Sequence, residues 1–386
     1  MIYIKKETIA MKKKFLSVLV FGLLLVLFSP NQIVHAKTTK PTNNQLHRVI
    51  KKMSLAEKIG QMYVSPSPVD ISQAKSDISR YHLGGIVLFG NDFKNQNAAQ
   101  LKEKISTLQG SAKLPLFIAT DQEGGDVSRL STDPQLTNGR SFPSPQVVYK
   151  EKGLAGTVTE ASETAKIMYA LGINWNFAPV ADVSSDSKSF IYSRTLGQNY
   201  QTTASYISKV IPAIQKQHVI TSLKHFPGYG SAADTHIGFA STDRSLENFQ
   251  KNDFLPFEAG IKKNAATVLV AHVIMKSIDS QMPASLSPAV HQLLRKKLKF
   301  KGMIITDDLG MGAITKYSQE HHVTPDVLAV QAGNDALLSN NYAQGIPAIE
   351  QAVHTGKIKE KQINSSIYRI LKVKRKFGLL KIQQLN

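Results

Sequence analysis

A chain of 386 residues with a formal charge of +19 and no cysteine excludes disulfide scaffolds, thiolate metal centres and cysteine nucleophiles. Its apolar fraction of 42% is ordinary for a globular protein, which excludes disordered and collagen-like chains. The basic residues are dispersed and no nucleic-acid recognition motif accompanies them, so the charge points to solubility or to anionic wall polymers rather than to nucleic acid.

In chain order, the first feature is a secretory pattern. Lys12, Lys13 and Lys14 precede an apolar run from Phe15 to Phe28, and Val34-His35-Ala36 follows with small residues at the exit. The run is 14 residues long, short of the ~20 that cross a bilayer as a helix. Residues 1–36 are therefore expected to be a signal peptide, with export to the bacterial cell envelope or medium and a mature chain starting at Lys37. That segment holds five lysines and one glutamate, which leaves +15 on the remainder.

From Ser54 onward, short apolar runs alternate with helical patterns. Ser54 and Glu57 stand at capping-box spacing and mark a helix start. Strands are predicted over 61–64, 85–89, 116–120, 174–179, 220–224, 268–272, 303–306 and 335–338, each brief, rich in β-branched or aromatic residues and bounded by turn formers. Between them lie helical patterns such as 155–171 and 246–263. A last amphipathic helix over 363–377 places Ile363, Ile367, Ile370 and Leu371 on one side. Eight strands alternating with helices predict an α/β fold, a (β/α)8 TIM-type barrel forming a single domain over 37–386.

In such a barrel, function belongs to the carboxyl ends of the strands and the loops beyond them. The third strand runs into Asp121-Gln122-Glu123-Gly124-Gly125. The fourth ends near Asp182, with Arg194 on the following loop. The fifth delivers Lys224-His225, the sixth His272 and the seventh Asp307-Asp308. Any one of these has a bland explanation: Asp308 is a candidate helix N-cap, and a lone histidine such as His272 is commonly structural. Their convergence on one end of one barrel favours a shared site.

The segment KHFPGYGSAADTHIG, residues 224–238, carries the most chemistry. Pro227, Gly228 and Gly230 free a long loop that bears Asp234 and His236. Two residues apart, the carboxylate can reach one ring nitrogen, fix the tautomer and leave the other nitrogen to exchange a proton. A metal-ligand reading of Asp-x-His lacks a clear third and fourth ligand.

KHFPGYG followed by Asp-x-His, together with ATDQEGG, FAPVAD and IITDDLGM, resembles the catalytic barrel of glycoside hydrolase family 3, in its β-N-acetylglucosaminidase branch. The resemblance spans about residues 45–380. It implies that Asp307 is the nucleophile of a retaining reaction, that His236 is the acid/base and that Asp234 is its partner. It also implies that Asp121, Arg129, Arg194, Lys224 and His225 bind the terminal sugar. The substrate it implies is a saccharide, either a cell-wall muropeptide or a chitooligosaccharide. No cofactor, metal or stable protein partner is implied, and no second domain is expected. Two positions depart from the family pattern: Tyr229 stands where a histidine is usual, and Asp126 where an arginine is usual. A β-glucosidase, a phosphorylase using the same site, and a saccharide-binding protein without turnover are the alternatives.

Overall fold

The computed structural model describes residues 40–382. The expected signal segment, 1–36, lies outside the described residues. Among the described residues, no helix is long and apolar enough to cross a membrane.

Eight parallel strands form the barrel: β1 (Tyr63–Pro66), β2 (Gly85–Val87), β3 (Phe117–Thr120), β4 (Trp175–Asn176), β5 (Ile220–Phe226), β6 (Thr267–Val270), β7 (Met303–Thr306) and β8 (Leu337–Leu338). Each pairs with its sequence neighbour, and β8 pairs back onto β1 with Tyr63 opposite Leu337. A parallel bridge between Ile305 and Ala336 joins β7 to the lead-in of β8 and completes the ring. Strands of a closed parallel sheet are covered on both faces, which is why they read as continuous apolar runs. Thr267–Val270 and Met303–Thr306 are buried at every position.

Large side chains fill the barrel core. Trp175 sits edge-on to Phe117 and to Phe177, with centroids 5.0 Å apart in both pairs. Its indole N–H donates to Ser222 Oγ at 2.8 Å, so the polar edge is satisfied despite full burial.

The capping box at Ser54 and Glu57 forms, with both reciprocal bonds present, and starts the helix Leu55–Met62. The pattern over 155–171 belongs to a longer helix, Pro145–Ala170, capped by Ser144 and broken by Gly153 at φ 60°. The pattern over 246–263 divides into Leu246–Lys251 and Phe254–Lys262. Pro256, which has no N–H, falls in the first turn of the second helix, where no intrahelical donor is needed. Strand β8 starts at Leu337 rather than at Asp335. The Asp335 carboxylate is taken by Arg295, Arg369, Ser366 and the Ile304 amide, which anchors this corner of the barrel.

Candidate active site

The carboxyl end of β3 runs straight into a hairpin, Gln122–Gly124 against Val127–Ser128. Asn176 of β4 clamps it by bonding both backbone groups of Gln122, at 3.0 and 2.9 Å. Gly124 has φ 92°, and a Cβ there would lie 2.3 Å from the Pro143 carbonyl oxygen. The Gly-Gly pair of the motif is thus a backbone requirement.

This hairpin delivers Asp121 and Glu123 to the cations of β5 and the β4 loop. Lys224 Nζ donates to Asp121 Oδ1 at 2.6 Å and lies 2.5 Å from Glu123 Oε1. Arg194 grips Glu123 with two bonds, at 2.9 and 2.7 Å. Burial opposes the charge on Glu123, but Lys224 and Arg194 outweigh it and hold the carboxyl well below its usual range. Burial likewise opposes the charge on Lys224, and Asp121 and Glu123 outweigh it, so its ammonium stays protonated.

His225 is held on both sides. Its Nδ1 lies 2.7 Å from Asp182 Oδ2, and its Nε2 lies 3.1 Å from Arg194 Nη2. A guanidinium only donates, so Nε2 carries the lone pair and Nδ1–H donates to Asp182. Asp182 also accepts from the backbone amides of His225 and Tyr229, at 2.9 and 2.8 Å. The Lys224–His225 peptide is cis, and both side chains enter the same polar cluster.

Asp307 follows β7 directly and is half-buried. Its Oδ1 accepts from the Asp308 amide at 3.0 Å. Burial alone would raise its pKa, but the histidines His225 and His272 to the extent they are protonated, the Lys224 ammonium and the Asp308 amide hold it below the usual carboxylate value. Of these, only Lys224 is a permanent charge. Asp308 behaves differently: burial raises its pKa, and its Oδ1 accepts from the Gly310 amide at 2.8 Å. It makes this turn rather than the helix N-cap expected for it, since the next helix, Gly312–His321, starts after Met311. His272 is fully buried, with Nδ1 2.7 Å from Ser285 Oγ and Nε2 2.9 Å from the Asp308 carbonyl. Burial pushes its imidazole down, so it is a neutral positioning group for the Asp307–Asp308 turn.

The loop after β5 carries the Asp–His pair. Asp234 Oδ1 lies 2.5 Å from His236 Nδ1 and also accepts from the His236 amide at 2.9 Å. His236 is exposed and leaves its Nε2 outward from this contact. Three anchors position the loop. The Gly312 amide donates to the His236 carbonyl at 3.2 Å, and the Ala313 amide to the Thr235 carbonyl at 3.2 Å. Tyr229, fully buried, bonds Thr235 Oγ1 through its hydroxyl at 2.6 Å and packs edge-on to His225. At the loop base, Arg244 donates to the Gly228 carbonyl at 2.9 Å and pairs with Asp253 at 2.6 Å. Burial pushes Asp253 up to about 6 despite that arginine. Gly312 approaches so closely that a Cβ would meet the His236 carbonyl oxygen at 2.7 Å.

Asp121, Arg194, Lys224 and His225 thus form one network through Glu123 and Asp182. Arg129 stands at its edge, 4.0 Å from Asp121 and over the Phe89 ring. Asp234 and His236 pair with each other on the loop, whose backbone is tied five residues beyond Asp307. Asp126 accepts from Ser193 Oγ at 2.8 Å, one residue from Arg194. Sequence reasoning gave no role to Glu123, Arg244 or Asp253. Glu123 had a signal, being inside the motif, whereas the Arg244–Asp253 pair had none.

A closed parallel barrel that gathers carboxylates, buried cations and an Asp–His pair at its strand ends has the architecture of the barrel enzymes. Within that class, the chain belongs to glycoside hydrolase family 3: the description "Glycosyl hydrolase family 3 N terminal domain" matches residues 54–373. It is similar to "Beta-hexosaminidase A" of Pseudoalteromonas piscicida, 31% identical over 329 residues that cover 78% of this chain and 54% of that protein. A "Beta-hexosaminidase" of Xanthomonas oryzae pv. oryzae is 33% identical over 234 residues, covering 60% of this chain and 69% of the relative. Among solved structures, a family 3 β-N-acetylglucosaminidase from Paenibacillus sp. str. FPU-7 superposes with a TM-score of 0.77 at 29% identity, covering 85% of this chain and 63% of that one. The chain therefore spans about half the length of the first relative and less than two thirds of the Paenibacillus chain.

Proposed function

We propose that this protein is an exo-acting, retaining β-N-acetylglucosaminidase that removes terminal N-acetylglucosamine from cell-wall or chitin-type saccharides. The observation that carries the reading is the Asp234–His236 contact on a loop tied to the segment that follows Asp307. In the first step, an Asp307 oxygen bonds to the anomeric carbon as the bond to the leaving oxygen breaks, and His236 Nε2–H supplies that oxygen's proton. The product is a covalent glycosyl-enzyme, with Asp234 orienting the imidazole. In the second step the now neutral His236 takes a proton from water, the water oxygen bonds to the anomeric carbon, and Asp307 departs as carboxylate. Asp121, Arg129, Arg194, Lys224 and His225 are the groups proposed to bind sugar hydroxyls, through charge-assisted hydrogen bonds. The names of the similar hexosaminidases support the choice of sugar. We also propose export, with the mature chain beginning at Lys37.

The test incubates the protein with aryl β-N-acetylglucosaminide and aryl β-glucoside, each with and without inorganic phosphate. Turnover of the first, indifferent to phosphate, is the expected result. Preference for the glucoside, dependence on phosphate, or binding without turnover would each replace the reading with a different one.

A further inference from the structure

A cluster of cations lies at the opposite end of the barrel from this site. A cavity of about 610 Å³ opens there, between Ala265–Ala266 before β6, Lys301–Gly302 before β7, and the C-terminal helix Glu360–Lys376. Seven of its lining residues are lysines or arginines, and no aspartate or glutamate is among them. Among the described residues, only Arg369 of the seven is paired with a carboxylate, Asp335 at 2.8 Å. The remaining polar contacts among the described residues go to neutral carbonyls: Lys376 to Asn264 at 3.1 Å, Lys40 to Lys376 at 3.4 Å, and Arg375 to Pro41 and to the Asn43 side-chain Oδ1, both at 2.9 Å. Such bonds place the head groups without cancelling their charge. Lys299, Lys301 and Lys372 are exposed and have no carboxylate partner among the described residues. Ile261, Phe300 and Val373 add apolar lining.

Like charges crowded around a recess repel one another and focus a positive field into it. Several features narrow the anion that would relieve this. The cations come from three separate segments around the recess, at residues 40, 299–301 and 369–376, so they match several charges spaced along a chain. Lysine and arginine pair well with phosphate oxygens, and the partly exposed Ile261 and the aliphatic stems of the lysines accept methylene groups between them. Phe300 is only 3% exposed, so it offers no stacking platform to nucleic-acid bases. A flat bilayer would meet the rim of the recess and not its interior.

We infer that this cavity docks a linear polyanion whose phosphodiester groups are carried on an aliphatic polyol backbone. The strand-end site stays open in the docked state, because Asp307 and His272 lie beyond the carboxyl ends of the same two strands whose amino ends border the cavity.

The experiment measures binding of the full chain to immobilised poly(glycerol phosphate) at two salt concentrations, with a neutral glucan as control. Binding to the polyanion alone is expected, with an affinity that falls roughly tenfold or more from 50 to 200 mM salt. The variant Lys299→Glu/Lys301→Glu/Lys372→Glu should lose at least tenfold in affinity while its melting temperature and its turnover of a soluble aryl substrate stay unchanged. A second variant, Lys150→Glu/Lys152→Glu/Lys166→Glu, carries the same charge change on exposed positions elsewhere and should bind as the parent does. Equal loss in both variants would reduce the effect to net charge and overturn the site. Equal or tighter binding to single-stranded DNA or to anionic phospholipid vesicles would overturn the assignment of the polymer.

Discussion

Replacing Lys374 by methionine should stabilise the protein at neutral pH and destabilise it near pH 10. Lys374 lies on the buried stripe of the C-terminal helix, with no exposed surface, beside Ile367, Ile370 and Leu371. Its Nζ donates to Gln61 Oε1 at 2.8 Å and sits 4.9 Å from the centre of the Phe117 ring. Burial, with no opposing carboxylate, pushes its pKa down to about 7 from 10.5. A fall of that size corresponds to about 4 to 5 kcal/mol at pH 7, because the unfolded chain holds a proton that the folded lysine gives up. The sign follows from that difference. Between about pH 7 and 10.5 the unfolded state binds more protons, so this group makes stability rise with pH across the window. Methionine removes the dependence but leaves Gln61 Oε1 without its donor, a cost of about 1–3 kcal/mol. The net expectation is a gain of about 2–3 kcal/mol at pH 7 and a loss of about 1 kcal/mol near pH 10. Urea unfolding of both proteins at the two pH values measures it, read through the single, fully buried Trp175. A difference that keeps its sign and size from pH 7 to pH 10 would refute the reasoning.

The remaining predictions concern the site. His236→Ala should lose on the order of 10²-fold or more on disaccharides, much less in the first step with an aryl leaving group, and accumulate glycosyl-enzyme visible by mass spectrometry. Equal losses on both substrates would reduce His236 to a buttress of its loop. Asp307→Ala should abolish turnover with the melting temperature preserved, and near-normal activity there with loss in Asp308→Ala would shift the nucleophile by one residue. Tyr229→Phe deletes the 2.6 Å bond to Thr235 beneath the Asp–His pair, and should lower kcat by roughly tenfold with KM little changed, at about 1 kcal/mol in stability. An unchanged kcat would show that the other two loop anchors suffice.

The barrel was legible because its signal is local. Apolar runs such as Val268–Val270 and Met303–Thr306 mark strands wherever they fall, and the capping box at Ser54 needs only its own four residues. Motifs at strand ends followed from the same alternation. The boundaries were less legible where a distant partner competes for a residue, as Arg295 and Arg369 do for Asp335 at the start of β8.

By itself, the sequence determined the strand order, the end of the barrel on which Asp121, Lys224, His225 and Asp307 gather, and the Asp–His pair two residues apart. Hydrophobic period and chain direction suffice for those. Only the tertiary structure decided which charges meet. Glu123 binds Lys224 and Arg194 across three segments, Tyr229 reaches Thr235 beneath the loop, and Lys374 is buried while Lys372 and Lys376 on the same helix remain exposed. The reason is physical. An ionic group's partner and dielectric surroundings come from residues distant in the chain, and a helix of alternating lysines does not reveal which one the barrel will enclose.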